Sequence, residues 1–523
     1  FFKDCRMHFE HIRRTVQQTF LEPGYRLDKS DAVLEPSYIC EALGIQGRLD
    51  YMQRDMNSFI EMKSGKADEY AMKGKIEPKE NNRAQMLLYM AVLEFNMGID
   101  HRKQHPYLFY TRYPLLYPAQ ASWAQVRRII ALRNQIVAAE YGVQLHNHPS
   151  YTQALLEQIN PLTLNEREMR GRFWEQYLKP GIVRFQERLA SLDTLERNYF
   201  HTLYNFITKE LYLSKSGDVD TDVKTGAATL WLGTLDEKRE AGEILYDLQI
   251  VENRVYEAHK PFLTLRIPEY SEPFLPNFRI GDVVVLYERN QPTDNVTNRI
   301  VFKGSIEQLS VTEIRIRLRA PQRNLALFPP GSCYAVEHDY MDTTFRSMYL
   351  GLSAFMEANA ERRNLLLRRR SPESEACKID HSIDDFERIA MKALAAKDYF
   401  LLVGPPGTGK TSRALRRMVE RFHEQPDCQI LLLAYTNRAV DEICSSLETI
   451  EIGIDYIRIG NELSCDERFR ENLMENVLAS CSKRVEVRRR LSACRVYVGT
   501  VASVSSRTEL FKLKRFDVAI VDE

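Results

Sequence analysis

Two clusters of residues in this 523-residue chain have the types and spacing that phosphate chemistry needs. One is Gly404-Pro405-Pro406-Gly407-Thr408-Gly409-Lys410-Thr411, a GxxxxGK[ST] pattern. Glycines at these places let backbone N–H groups curl around the phosphates of a nucleotide. The lysine then reaches the β and γ oxygens, and the threonine hydroxyl meets Mg²⁺. Tyr399-Phe400-Leu401-Leu402-Val403 just before it reads as a short buried strand, and a helical pattern follows, which is the context such a loop requires. The counterpart is Phe516-Asp517-Val518-Ala519-Ile520-Val521-Asp522-Glu523, an apolar strand ending in two acids. Asp522 is expected to hold the Mg²⁺ and Glu523 to orient an attacking water.

The other cluster lies near the N-terminus. Gly47-Arg48-Leu49-Asp50 is followed, after a polar turn, by Ser58-Phe59-Ile60-Glu61-Met62-Lys63. Alternate residues of a strand share a face, so Glu61 and Lys63 point the same way. If the Asp50 strand pairs with this one as a hairpin, two carboxylates and an ammonium converge. Asp50 and Glu61 can hold a divalent cation, and Lys63 can steady a metal-activated hydroxide and the charge developing on a phosphate. Further on, 81–89 is helical, with Gln85 and Tyr89 one turn apart on one face. An ion pair beside an ordinary amphipathic helix explains each fragment taken singly. Three fragments in this order favour the functional reading.

The elements that must position these residues fall into four stretches. Residues 1–148 mix helix and short strands, and 149–215 are helical and highly charged. Between 216 and 345 the pattern changes to strands such as Phe262-Leu263-Thr264-Leu265-Arg266-Ile267, Asp282-Val283-Val284-Val285-Leu286-Tyr287 and Glu313-Ile314-Arg315-Ile316-Arg317-Leu318-Arg319. A small antiparallel barrel uses such strands. From 346 to 523, helices alternate with buried strands, as in α/β folds. Lys+Arg and Asp+Glu balance at 72 each, so any nucleic-acid binding must come from local grooves rather than a general basic field. The basic run 362–370 reads as a solvated helix face. No apolar run approaches the ~20 residues of a membrane span. The nine cysteines include no CxxC pair, which argues against a disulfide framework or a zinc ribbon. The chain starts without methionine and stops inside the second phosphate motif, as expected of a piece of a longer protein.

The C-terminal third resembles superfamily 1 helicases. Ile430-Leu431-Leu432-Leu433-Ala434-Tyr435-Thr436-Asn437 and Val496-Tyr497-Val498-Gly499-Thr500 match two strand–loop motifs of that superfamily, in the right order between the phosphate loop and Asp522-Glu523. The resemblance assigns Thr436, Asn437 and Thr500 to gripping single-stranded nucleic acid; polar groups at strand ends bond phosphates without reading bases. Where that superfamily usually has an adenine-reading glutamine, this chain has Glu387. The N-terminal motifs, GxxD, ExK followed by Ser64-Gly65-Lys66, and QxxxY, resemble RecB-type nucleases of the PD-(D/E)XK superfamily. That likeness implies that Gln85 orients the metal or water and that Tyr89 contacts a phosphate. It also implies an upstream histidine ligand, for which His8 is chosen over His11.

Together these halves resemble the DNA replication nuclease–helicase family that trims Okazaki-fragment flaps and resects ends. The implied fold is multidomain: an α/β PD-(D/E)XK nuclease (1–148), a helical linker or stalk (149–215), a small antiparallel β-barrel (216–345) and a RecA-like α/β parallel-sheet P-loop domain (346–523). The implied activity is metal-dependent cleavage of single-stranded DNA coupled to an ATP-driven motor in replication or repair. The second motor domain is not in this sequence, so weak ATP hydrolysis and no unwinding are expected. ATP and Mg²⁺ or Mn²⁺ are the implied cofactors. Many members hold an iron–sulfur cluster, but after Cys5 and Cys40 the next cysteine is Cys333, so no cluster is expected here. The implied partners are single-stranded or flapped DNA and a single-strand-binding protein, with no membrane, in the cytoplasm or, in a eukaryote, the nucleus. Two alternatives stay open: an ATP-driven translocase, RNA included, whose N-terminal domain only binds, and a nuclease–helicase serving phage defence or a mobile element.

Overall fold

The computed structural model describes residues 2–70, 75–119, 122–165, 168–218, 226–272, 274–340, 343–376 and 382–522. They form two compact units, one of Phe1–Tyr151 with Thr208–Met341 and one of Thr152–Ile207 with Asp342–Glu523.

The first unit opens with α1 (Phe2–Gln17), β1 (Ala32–Leu34), β2 (Ser37–Cys40), β3 (Ile45–Arg48), β4 (Tyr51–Gln53) and β5 (Ser58–Lys63). β6 (Asp68–Tyr70), β7 (Lys75–Glu77), α2 (Glu80–Met97), β8 (His105–Tyr110), β9 (Leu115–Pro118) and α3 (Trp123–His146) follow. The main sheet has the order β1-β4-β5-β8-β9, while β2 and β3 pair separately. β5 and β8 run parallel, from Ser58↔His105 to Lys63↔Tyr110. Parallel neighbours need a crossover, and α2 supplies it. Met86, Leu87, Met90 and Ala91 of that helix share one buried cluster with Phe59, Met52 and Leu108 of the sheet. Gly98, left-handed at φ 67°, ends α2.

The same unit contains the expected barrel: β10 (Ile244–Arg254), β11 (Phe262–Arg266), β12 (Val283–Glu288), β13 (Phe302–Leu309), β14 (Glu313–Leu318) and β15 (Cys333–His338). It is closed and antiparallel, in the order β10-β11-β14-β13-β12-β15. Closure leaves no open edge for stray pairing. The barrel is stitched to the first sheet region by paired backbone bonds between Ser37 and Val301, at 2.8 and 3.0 Å.

In the second unit, the parts of α4 (Pro149–Glu157), α5 (Lys179–Ser191) and α6 (Thr194–Ser216) that lie within 152–207 contribute Leu156, Leu189, Phe200 and Ile207, with Leu192 between α5 and α6, to one core with Leu352 and Met356 of the helix Thr343–Glu357. Ion pairs from Arg363 to Glu196 and from Arg369 to Asp193 tie the segment after the helix Thr343–Glu357 to the start of α6. The rest is an α/β layer on a parallel sheet of β16 (Ile430–Ala434), β17 (Tyr456–Ile459), β18 (Val496–Thr500) and β19 (Val518–Asp522), in the order β17-β18-β16-β19.

One expected strand is absent. Residues 399–403 join no sheet; Phe400 and Leu402 pack against the core, while Leu401 is 75 % and Val403 94 % exposed. β16 has both edges occupied, by β18 and β19, and the free edge of β19 pairs with no described strand. An apolar run of five reads the same whether or not a ladder lies beside it, and that is why this one reads as buried.

Candidate functional site

β4 and β5 form a tight antiparallel pair in which Tyr51 faces Ile60 and Met52 faces Phe59. Continued by one step, this register sets Asp50, just outside β4, beside Glu61, and Asp50 Oδ2 accepts the Met62 backbone N–H at 2.6 Å. The expected hairpin convergence is therefore present, with Asp50 on the turn leading into the strand. Glu61 is only 4 % exposed. Its Oε1 receives Lys63 Nζ at 2.5 Å, and Lys63 also donates to Gln85 Oε1 at 2.9 Å. Gln85 Nε2 in turn donates to the Tyr89 hydroxyl at 3.1 Å, and Tyr89 donates to the Arg48 carbonyl at 2.7 Å. Asp50, Glu61, Lys63, Gln85 and Tyr89 thus form one connected group, built from a turn, a strand and one face of α2.

Burial is the main cause that lifts the Glu61 carboxyl above its ordinary 4.5, with the charge of Asp50 adding to it against Lys63 and Arg48. The other Glu61 oxygen, Oε2, is buried and has no hydrogen-bond partner among the described residues. A buried acceptor without a partner is costly unless something positive meets it. A divalent cation shared with Asp50 fits that need. His8 stands on α1, its Nδ1 2.8 Å from Thr111 Oγ1, while Thr111 N–H donates to the Lys63 carbonyl at 2.9 Å. His11 Nδ1 meets the Thr111 carbonyl at 2.9 Å. Both histidines therefore border the end of β5. Among the described residues, no three His, Cys, Asp or Glu side chains gather closely enough to hold a metal, so His8 is not drawn into a group with Asp50 and Glu61.

In the second unit the expected phosphate loop runs from Gly404 into a helix that begins at Lys410. Gly407 and Gly409 take φ 79° and 84°, the left-handed region that favours glycine. Lys410 Nζ folds back onto the carbonyls of Gly404 and Pro405 at 2.6 and 3.1 Å, and Thr408 Oγ1 ties to the Pro405 carbonyl at 2.8 Å. Thr411 Oγ1 donates to Asp522 Oδ2 at 2.6 Å across 111 positions of sequence. The two residues expected to share a Mg²⁺ therefore touch. Lys410 and Asp522 line one cleft of about 480 Å³. Glu523 lies outside the described residues.

A family model described as an AAA domain matches residues 382–491. The DNA replication ATP-dependent helicase/nuclease DNA2 of Gallus gallus is 24% identical over 546 residues, covering 95% of this chain and 51% of that protein. Its Homo sapiens counterpart is 23% identical over 94% of this chain and 48% of its own length. Across most of its length this chain is similar to DNA replication helicase/nucleases. It spans about half the length of these relatives. The RNA helicase Mov10l1 of Mus musculus is 25% identical over 125 residues, 23% of this chain and 10% of that protein.

The strand-end loops of this helicase-like unit hold Thr436, Asn437 and Thr500. Thr436 caps the helix Asn437–Glu448 by accepting the Ala439 N–H at 3.2 Å, and it remains exposed. Asn437 is half-buried at the first helical turn. Thr500 is buried, with its hydroxyl bonded to Ser503 N at 3.1 Å and Ser503 Oγ at 2.8 Å, so that side chain is committed to the next cap. Tyr435, given no role from sequence, is 73 % exposed between β16 and the cap. An aromatic ring presented there is a stacking surface for a base, and the signal was an aromatic residue directly after a buried strand. Glu387 is spent on ion pairs with Arg421 at 2.6 Å and Arg417 at 3.0 Å on the helix after the loop. Arg48 was also passed over, although it lies inside the GxxD motif; its guanidinium pairs with Glu35 at 2.9 Å.

Proposed function

We propose that this chain is a metal-dependent nuclease for single-stranded DNA joined to the first domain of an ATP-driven superfamily 1 motor, acting in replication or repair. The observation that carries the nuclease half is the buried, partnerless Glu61 Oε2 beside Asp50, with Lys63 on the other oxygen. Asp50 and Glu61 would hold the cation, while His8, bonded to Thr111 Oγ1, stands outside that pair. A Mg²⁺ or Mn²⁺ ion there supplies an activated water and charge neutralisation for phosphodiester hydrolysis.

The remaining work falls to protein groups. Lys63 carries a fixed positive charge to where the phosphate becomes more negative, and Gln85 holds that ammonium on the strand's inner face. Tyr89, anchored by the Arg48 carbonyl, keeps Gln85 in line and presents a phenol edge to a phosphate. In the motor, the backbone of 404–409 and Lys410 would cradle the nucleotide phosphates, Thr411 and Asp522 would take Mg²⁺, and Glu523 would orient water. Thr436, Asn437 and Thr500, the last through its backbone, would hold the strand. The names of the DNA2 relatives support DNA as the substrate and ATP as the fuel.

The test is cleavage of end-labelled single-stranded DNA, with and without Mg²⁺ or Mn²⁺, by the parent and by Asp50→Ala and Glu61→Ala. The parent should cut only with metal, and each variant should lose at least about 10³-fold, as removal of a group that stabilises transition-state charge does. Variants that cut as well as the parent would leave a binding-only N-terminal domain as the better reading.

A further inference from the structure

The Asp50 turn borders a small cleft whose residues come from two parts of the first unit. Leu34, Glu35 and Arg48 line it from the nuclease-like sheet, and Lys303, Arg319 and Gln322 from the barrel. This joint is built rather than incidental. Gln322 is 1 % exposed and bonds the Leu34 backbone on both sides, accepting its N–H at 3.0 Å and donating to its carbonyl at 2.7 Å. It completes the edge of β1 as a neighbouring strand would.

The charges in the cleft are unevenly spent. Lys303 is held by Asp339 at 2.8 Å, and Arg48 by Glu35. Arg319, an exposed residue whose own N–H donates to the Lys303 carbonyl at 3.0 Å, has no side-chain hydrogen bond or ion pair among the described residues. Glu35 sits at φ +50°, a conformation rarely taken by a residue with a side chain, and its N–H donates to the Asp50 carbonyl at 3.2 Å. The backbone carbonyl of Arg48 is tied to the candidate active site through Tyr89, and the residue also lines the cleft, where its guanidinium pairs with Glu35.

The geometry points to a phosphate-binding ledge in which Arg319 of the barrel and Arg48 of the nuclease-like sheet grip the backbone of the single strand on its way to Asp50 and Glu61. The ligand is a phosphodiester, for which the planar guanidinium fork is the suited donor. Glu35 keeps the Arg48 fork turned towards the cleft, and Gln322 holds the two halves of the ledge at a fixed spacing. The barrel thereby becomes a part of substrate binding. This inference rests on the nuclease reading above for what lies at the end of the ledge, but its binding step can be measured without cleavage.

The experiment uses the full chain and a fluorescein-labelled single-stranded oligonucleotide, with Ca²⁺ in place of Mg²⁺, over a range of salt. Arg319→Ala and Arg48→Ala should each weaken binding about tenfold, as loss of one charge-assisted contact does. Each should also reduce the slope of log K against log salt by about 0.7, the value for one phosphate contact on a single strand. Arg319→Glu should weaken binding further, and Arg319→Lys should restore the slope while regaining only part of the affinity. In Mg²⁺, Arg319→Ala should raise KM and leave kcat within about twofold. Parent-like affinity and salt slope in both Arg319→Ala and Arg319→Glu, with unchanged melting curves, overturns the ledge. A parent that never cuts in Mg²⁺ or Mn²⁺ overturns the nuclease reading instead, whatever the salt slopes are.

Discussion

A β-carbon built on Gly47 would lie 2.5 Å from Tyr89 Cε1 and 3.3 Å from Cδ1. Tyr89 is 7 % exposed, so its ring cannot swing into solvent to make room. The glycine therefore has a steric role set by α2, although its own backbone angle is one that other residues adopt. Tyr89 also ends the chain of bonds through Gln85 to Lys63. Gly47→Ala should cost about 1–3 kcal/mol of stability through overpacking. By displacing the Tyr89–Gln85–Lys63 chain it should also slow cleavage about 10²-fold, the scale of an ångström-sized misplacement. Tyr89→Phe, which keeps the ring and loses two hydrogen bonds, should slow cleavage by about tenfold. Denaturant unfolding and single-turnover cleavage measure the two effects separately. A Gly47→Ala protein that cuts like the parent would remove Tyr89 from the active group.

The barrel carries a second kind of prediction, because its last strand ends in a charged joint. His338, at the end of β15, has Nδ1 2.6 Å from Glu243 Oε2 and Nε2 3.4 Å from Asp282 Oδ2, with Phe278 stacked 4.3 Å away. Tyr340 also donates to Glu243, at 2.9 Å. Burial pulls the imidazole down, but Glu243 and Asp282 together outweigh it, so His338 titrates above 6.5. The Glu243 carboxyl is held below 4.5, chiefly by its bond to His338. The histidine's contribution is fully present below about pH 6.5 and is lost as pH rises through its raised value. The glutamate's is present above about 4.5 and is lost as pH falls through its lowered one. Urea midpoints of the parent, compared with His338→Gln, should therefore show an advantage that shrinks from pH 6 to pH 8.5. A difference that stays flat over this range would mean the joint is not charged. Strands of this kind were legible. In Glu313-Ile314-Arg315-Ile316-Arg317-Leu318 every apolar residue is buried and every polar one lies at the surface or partly exposed, as alternation demands. Glu61 and Lys63 were legible for the same reason, since strand period alone puts them on one face. Residues 399–403 were misread because an apolar run carries no information about its neighbours. The Gln322–Leu34 joint and the Arg48–Arg319 cleft were invisible, because they unite positions that are hundreds of residues apart and belong to different patterns.

Equal numbers of acids and bases leave the molecule without a general field for nucleic acid, so its function depends on small, separately built sites. The two candidate phosphate sites lie in different compact units, Asp50 and Glu61 in one and Lys410, Thr411 and Asp522 in the other. Each can then be disabled by a substitution that leaves the other's bonds untouched. Ligand that binds only the folded form stabilises it, by about 2.7 kcal/mol at a hundredfold excess over Kd. ATP with Mg²⁺ should therefore raise the protection of backbone amides in β16 and β18 of the parent. The same gain should appear in Asp50→Ala, whose nucleotide cradle is intact. Lys410→Ala removes the ammonium that folds over the Gly404 and Pro405 carbonyls and should abolish the gain. Its metal-dependent cleavage of a short oligonucleotide should persist, because the groups proposed for the cleavage step, Asp50, Glu61, Lys63, Gln85 and Tyr89, all belong to the first unit. Hydrogen exchange read peptide by peptide is the suitable measurement, since a chain of two units need not melt in one transition. Equal nucleotide protection in Lys410→Ala and the parent would refute the phosphate role of this loop, and loss of cleavage in the same variant would refute the independence of the two sites.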